Sequence, residues 1–123
     1  HRDYFAAGAE VAISGSYQVS FEGLAAAGID RSEGVELLTR SVALAASARD
    51  ALRPDGLVAA SVGPYGAARA DGSEYRGDYD LDRDGLRRWH EPRLSVLLEA
   101  SPDLLAIETI PSRAEAGALL DLL

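Results

Sequence analysis

The sequence predicts an α/β fold of about three parallel strand–helix units, and three observations carry this. Three short apolar runs, Val11–Ile13, Leu57–Val62 and Leu104–Ile107, each dissolve into small polar or glycine-rich residues, as buried parallel strands do at their carboxyl ends. The stretches between them have helical spacing and are long enough to return the chain parallel to itself. Serine or aspartate followed by glutamate three residues later marks two of the helix starts. Three parallel strands with two open edges make a marginal sheet, so the pattern fits a slice of a larger barrel or an open α/β sheet with neighbours on both sides.

Taken in order, Tyr4 and Phe5 lie in the end of a helix that Gly8 terminates. After the first strand and its polar tail Ser14–Gln18, Phe21–Ala27 reads as a short helix closed by Gly28. Asp30 and Glu33 then open a long helix to about Arg53, with Val35, Leu38, Val42, Ala45 and Leu52 on its apolar face. Pro54-Asp55-Gly56 turns the chain into the second strand, which breaks at Gly63-Pro64-Tyr65-Gly66. Ala67–Tyr79 reads as a long polar loop, a feature that in a compact domain is more often functional than idle. Leu86 to Leu98 forms the next helix, bent or restarted at Pro92. The third strand ends in Glu108 and Thr109, and Ser112 with Glu115 opens a last helix.

The 123 residues amount to one modest domain, and 47% hydrophobic with 26% charged residues implies a folded core. Twelve basic against twenty acidic residues give a net charge of −8, which repels phosphate backbones and anionic lipid. Nucleic acid and membrane surfaces are therefore excluded as partners. All twelve basic residues are arginine, a bias that reads as genome composition. No apolar run approaches the ~20 residues of a membrane span, so we expect a soluble, cytoplasmic chain. The chain has no cysteine, which excludes a disulfide framework, a thiol nucleophile and any thiolate metal site built from these residues. It also has no methionine, and the leucine-rich finish Leu119–Leu123 carries no helix stop signal. Both features lead us to expect a piece of a longer chain.

In α/β folds ligands bind at the carboxyl ends of the strands, which directs attention to Ser16–Gln18, Gly63–Gly66, Glu108 and Thr109. Glu108 is the sharpest candidate, because a carboxylate leaving an apolar strand needs a cation, either a substrate amine or a nearby arginine. The Gly63–Gly66 turn lacks the spacing of a dinucleotide fingerprint or a P-loop and reads as a turn. His1 and His90 make no metal pair, and His90 beside Trp89 reads as a packed or surface imidazole. Asp80, Asp82, Asp84, Gly85 and Glu91 match the spacing of a calcium loop. Arg87 stands at its eighth position, however, and no entering helix precedes it, so Asp82 is read as a helix cap.

Several strings resemble successive blocks of the homocysteine S-methyltransferase family, in the same order. They are His1-Arg2-Asp3-Tyr4-Phe5 with Ala7-Gly8-Ala9, Ser16-Tyr17-Gln18, Ser61–Gly66, Asp71–Tyr79, His90-Glu91-Pro92-Arg93 and Glu108-Thr109-Ile110-Pro111-Ser112. The resemblance implies that residues 1–123 are part of a homocysteine-binding (β/α)8 TIM barrel, holding its second to fourth strands and lacking the first strand and the C-terminal half. It implies transfer of a methyl group from S-methylmethionine or S-adenosylmethionine to the zinc-bound thiolate of homocysteine, giving methionine. The family's zinc is held by three cysteines, which this chain lacks, so they are expected outside it and the fragment alone is expected to be inactive. By the same resemblance Glu108 holds the amino group of homocysteine, and Ser16, Tyr17 and Gln18 line the same mouth, Ser16 standing where relatives often have threonine. The Asp71–Tyr79 loop would cover one side of the opening.

Two other readings stand beside this one. A truncated, non-catalytic relative would keep part of the amino-acid pocket as a pseudoenzyme or interaction module. An unrelated barrel lyase would need a carboxylate pair or a Schiff-base lysine, and the chain has no lysine. The choice of methyl donor and the oligomeric state are left open by the sequence.

Overall fold

The chain alternates helix and strand as its apolar periods dictate, and the computed structural model describes all residues, 1–123. In order these are α1 (Arg2–Ala6), β1 (Val11–Ile13), α2 (Phe21–Ala26), α3 (Arg31–Leu52), β2 (Leu57–Val62) and α4 (Tyr65–Arg69). A 3-10 turn (Ser73–Tyr75), α5 (Arg83–Glu99), β3 (Leu104–Ile107) and α6 (Arg113–Leu120) follow. Side chains cap the orphan amides of four helices. Ser20 accepts from Gly23 N at 3.0 Å, Asp30 from Glu33 N at 2.9 Å, Asp82 from Gly85 N at 2.8 Å and Ser112 from Glu115 N at 3.1 Å.

The strands form one parallel sheet in the order β1-β2-β3. Ile13 lies opposite Ala59, Ala59 opposite Leu104, and Val62 opposite Ile107. Sequential strands as direct neighbours make an arc of a singly wound barrel, whereas a doubly wound sheet reverses its order at the ligand-binding crevice. Asp103 fixes the start of β3: its carboxylate accepts from Val58 N and from the Arg49 guanidinium, both at 2.7 Å.

Alternation along the strands divides the sheet into two faces. Ala12, Val58, Ala60 and Val62 point toward the helices and pack with Leu38, Val42, Ala45, Leu94 and Leu97 in the core. On the opposite face Val11, Ile13, Leu57 and Leu104 stay between 40% and 48% exposed. That bare face also carries Ser61 and Glu108, which occupy the same alternation.

Some expectations change. Ala67–Tyr79 is not one structureless loop, because α4 runs to Arg69 and Ser73–Tyr75 forms a 3-10 turn. The Gly63–Gly66 segment is a strand-to-helix junction with Pro64 at the N-cap, where a missing N–H costs nothing. Helix α5 runs unbroken through Pro92. Proline removes the bond to the Arg88 carbonyl, but Arg88 lies on the exposed side, where water can serve that oxygen. Leu52, expected in the core, is 40% exposed at the end of α3. The acids of the calcium-like spacing have separate tasks: Asp82 caps α5, Asp80 pairs with Arg69 at 2.9 Å and Glu91 pairs with Arg87 at 3.7 Å.

Candidate functional site at the carboxyl ends of the strands

Strand β1 ends at Ile13, yet its pairing with β2 continues through side chains. Ser61 N donates to Ser14 Oγ at 3.0 Å, Ser16 Oγ donates to Ser61 O at 2.7 Å, and the two hydroxyls are 2.7 Å apart. All three serines are buried, with Ser16 fully so. The Ser61 side chain crosses to the third strand and donates to Glu108 Oε1 at 2.5 Å. Ser16 and Glu108, two of the predicted site residues, are thus joined through Ser61.

Glu108 is partly buried and enters no ion pair with any arginine of the chain. No arginine within residues 1–123 therefore neutralises this carboxylate. Immediately after it Thr109 has φ +58, a left-handed conformation that a β-branched residue rarely adopts. Such backbone strain costs about 1–3 kcal/mol.

Tyr17 closes over the junction between β2 and α4. A methyl added to Gly63 would lie 2.6 Å from the Tyr17 ring and 2.7 Å from its carbonyl oxygen, so only glycine permits this approach. Beneath it the buried Arg93 guanidinium donates to Gly63 O at 2.8 Å and to Val19 O at 3.1 Å, tying the β1 and β2 ends together. Burial holds this guanidinium down to about 10. Gln18 is exposed and lines, with Gly15, Tyr17, Val19, Ser20, Gly23 and Leu24, an open groove of about 470 Å³. Neither Glu108 nor Ser61 borders that groove, so the serine-linked strand ends, not the largest cavity, define the candidate site.

A second polar cluster lies deeper. Glu115 Oε1 accepts from Tyr65 N at 2.5 Å and from His90 Nε2 at 2.9 Å, with His90 and Glu115 both fully buried. Burial pushes the His90 imidazole below its ordinary value, against the opposing pull of Glu115. Neutral His90 carries its proton on Nε2, because a carboxylate can only accept. Burial, with the charge of Glu115 nearby, pushes the Tyr79 phenol up. This cluster fastens α4 beside the strand ends, and the Tyr79 ring packs edge-on against Tyr65 at 5.3 Å.

Ser61 is the residue that motif reading missed. A hydroxyl inside the apolar run Leu57–Val62 was the available signal, since a buried polar group needs a partner. His90 and Glu115 gave less warning, because they are 25 positions apart and meet only across the packed helices α5 and α6.

Comparison with known proteins agrees with this architecture. The sequence profile of the homocysteine S-methyltransferase family matches residues 1–123. The chain is 51% identical to a homocysteine S-methyltransferase of Bacillus subtilis and 49% identical to one from Zea mays. It is covered completely in both cases and spans 42% and 40% of their lengths. It superposes with a TM-score of 0.94 and 49% identity on the crystal structure of the metallated homocysteine methyltransferase of Escherichia coli, covering all of this chain and 45% of that one. The parallel sheet is thus an arc of that barrel enzyme's fold, and the chain belongs to the homocysteine S-methyltransferase family.

Proposed function

We propose that residues 1–123 are part of a homocysteine-binding (β/α)8 barrel, supplying its second to fourth strands, in a protein that transfers a methyl group from a sulfonium donor to homocysteine. The observation that carries this is the match of the whole chain to the family at about half identity, with Glu108 at the end of β3 free of any arginine. Glu108 accepts the ammonium group of homocysteine, a charge-assisted contact that holds the amino acid in the mouth. Ser16, Tyr17 and Gln18 line the same mouth. Ser16 acts through the backbone it holds, Tyr17 through its ring over Gly63, and Gln18 as an exposed amide. The Asp71–Tyr79 segment covers one side. The product is methionine, and the setting is cytoplasmic methionine biosynthesis; no helix of the chain is long and apolar enough to cross a membrane.

Zinc would supply thiolate activation in such an enzyme, but the residues present do not fit it. The chain has no cysteine, no three His, Cys, Asp or Glu side chains gather, and the His90 ring is committed to Glu115. We assign the zinc-binding cysteines to sequence outside residues 1–123. The test is to express the complete reading frame around this segment and measure bound zinc and methionine formed from homocysteine with S-methylmethionine or S-adenosylmethionine. Methionine formation with about one zinc per chain supports the proposal. A folded product that binds homocysteine but no zinc and forms no methionine favours the truncated, non-catalytic relative.

A further inference from the structure

We infer that Ser61 is the positioning residue for Glu108, held in place by a closed ring of hydrogen bonds from Ser14 and Ser16. The inference rests on Glu108 being the ammonium site.

The direction of every bond in the ring follows from donor counting. The carbonyl of Ser61 can only accept, so the single hydroxyl proton of Ser16 goes to it. Ser16 has no second proton, so across the 2.7 Å contact Ser14 donates to Ser16. Ser14 in turn accepts from Ser61 N. The circuit starts and ends on one residue, passing from Ser61 N–H through Ser14 and Ser16 to Ser61 C=O. Both backbone groups of Ser61 on the β1 side are therefore fixed by side chains, and cooperative polarisation strengthens the bonds in low dielectric. The ring leaves the Ser61 hydroxyl outside it, with its proton directed at Glu108 Oε1.

The consequence for Glu108 is asymmetry between its two oxygens. Oε1 is occupied by Ser61, while Oε2 takes no hydrogen bond from the chain and is the oxygen left for an ammonium group. A carboxylate on a flexible stem loses rotamer freedom when it grips a ligand, and Ser61 removes part of that loss before binding. Homocysteine thus meets a carboxylate already oriented. Such a group contributes to substrate binding in the ground state and the transition state alike, so its removal raises KM and leaves kcat nearly unchanged.

The test uses the complete protein. Ser61→Ala is expected to raise KM for homocysteine about five- to tenfold with kcat within about twofold, the size of one lost hydrogen bond. Ser61→Thr, which keeps the hydroxyl, is expected to restore KM to within about twofold of the parent. In a Glu108→Gln background the further change Ser61→Ala is expected to have little effect, because the two residues act as one unit. Should Ser61→Ala fold poorly, Ser61→Cys, of similar size and weaker donor strength, takes its place in the same comparison. An unchanged KM in Ser61→Ala alongside a raised KM in Glu108→Gln overturns the inference and leaves the ammonium site standing. An unchanged KM in Glu108→Gln overturns the ammonium site itself. A KM rise in Ser61→Ala that persists undiminished in the Glu108→Gln background shows that Ser61 acts elsewhere, and also overturns the inference.

Discussion

Glu115 meets His90 across the α5–α6 contact at 2.9 Å with neither side chain exposed, and the same carboxylate oxygen accepts from Tyr65 N at 2.5 Å. One acid thereby ties α6 to both α4 and α5. Glu115→Ala strands a buried amide and a buried imidazole N–H, and is expected to destabilise the complete protein by about 3 kcal/mol. Glu115→Gln, whose carbonyl oxygen still accepts from Tyr65 N, is expected to lose less. Urea unfolding midpoints of the two variants check this; a loss below about 1 kcal/mol for the alanine variant contradicts it.

The same pair sets a pH dependence. The groups facing His90 are Glu115 on α6 and, on its own helix, Arg93 and the Trp89 ring at 4.7 Å. Burial lowers the His90 value in the folded state, so below about pH 6.5 the unfolded chain binds a proton that the folded chain refuses. Its contribution to stability is full above that pH and declines as the pH falls toward the folded value, with a slope of at most about 1.4 kcal/mol per pH unit. Unfolding midpoints between pH 7.5 and pH 5, in steps of about half a unit, are expected to fall less steeply for His90→Gln than for the parent. Parallel curves for the two proteins contradict the assignment.

Gly63→Ala introduces a methyl 2.6 Å from the Tyr17 ring and 2.7 Å from its backbone oxygen. Overpacking of this kind costs about 1–3 kcal/mol, and relieving it displaces both the Tyr17 ring and the backbone that carries it. The variant is expected to lose stability and to bind homocysteine about tenfold more weakly, measured by calorimetric titration. Parent-like affinity would mean that Tyr17 does not contribute to the mouth.

Residues 1–123 produced alone are expected to be unstable. Val11, Ile13, Leu57 and Leu104 expose a contiguous apolar sheet face, and the outer edges of β1 and β3 have no strand partners. Circular dichroism with sedimentation checks this: the expectation is a broad melt or self-association, and a sharp, reversible, monomeric transition contradicts it.

Most elements were legible because their signals are local. Asp30, Asp82 and Ser112 cap the helices they precede, and the three apolar runs are the three strands. Glu108 stood out for the same reason, as a charge at the end of an apolar strand. What escaped the sequence is tertiary. Glu115 has the spacing of a capping box with Ser112, and its amide does bond there, but its side chain turns inward to His90 and Tyr65. The Ser14, Ser16 and Ser61 ring depends on the register that sets Ile13 opposite Ala59, which no local pattern specifies. The helix at Tyr65–Arg69 was hidden by glycine and proline, which signal a turn whether or not a helix follows.

Removing the ammonium group from the ligand tests whether Glu108 receives it. Calorimetric titration of the complete protein with homocysteine and with 4-mercaptobutanoate, which has the thiol and carboxylate but no amine, isolates the contact. The parent is expected to prefer homocysteine by roughly tenfold or more, the worth of a charge-assisted hydrogen bond, and Glu108→Gln to lose this preference. A preference that survives intact in Glu108→Gln would contradict it.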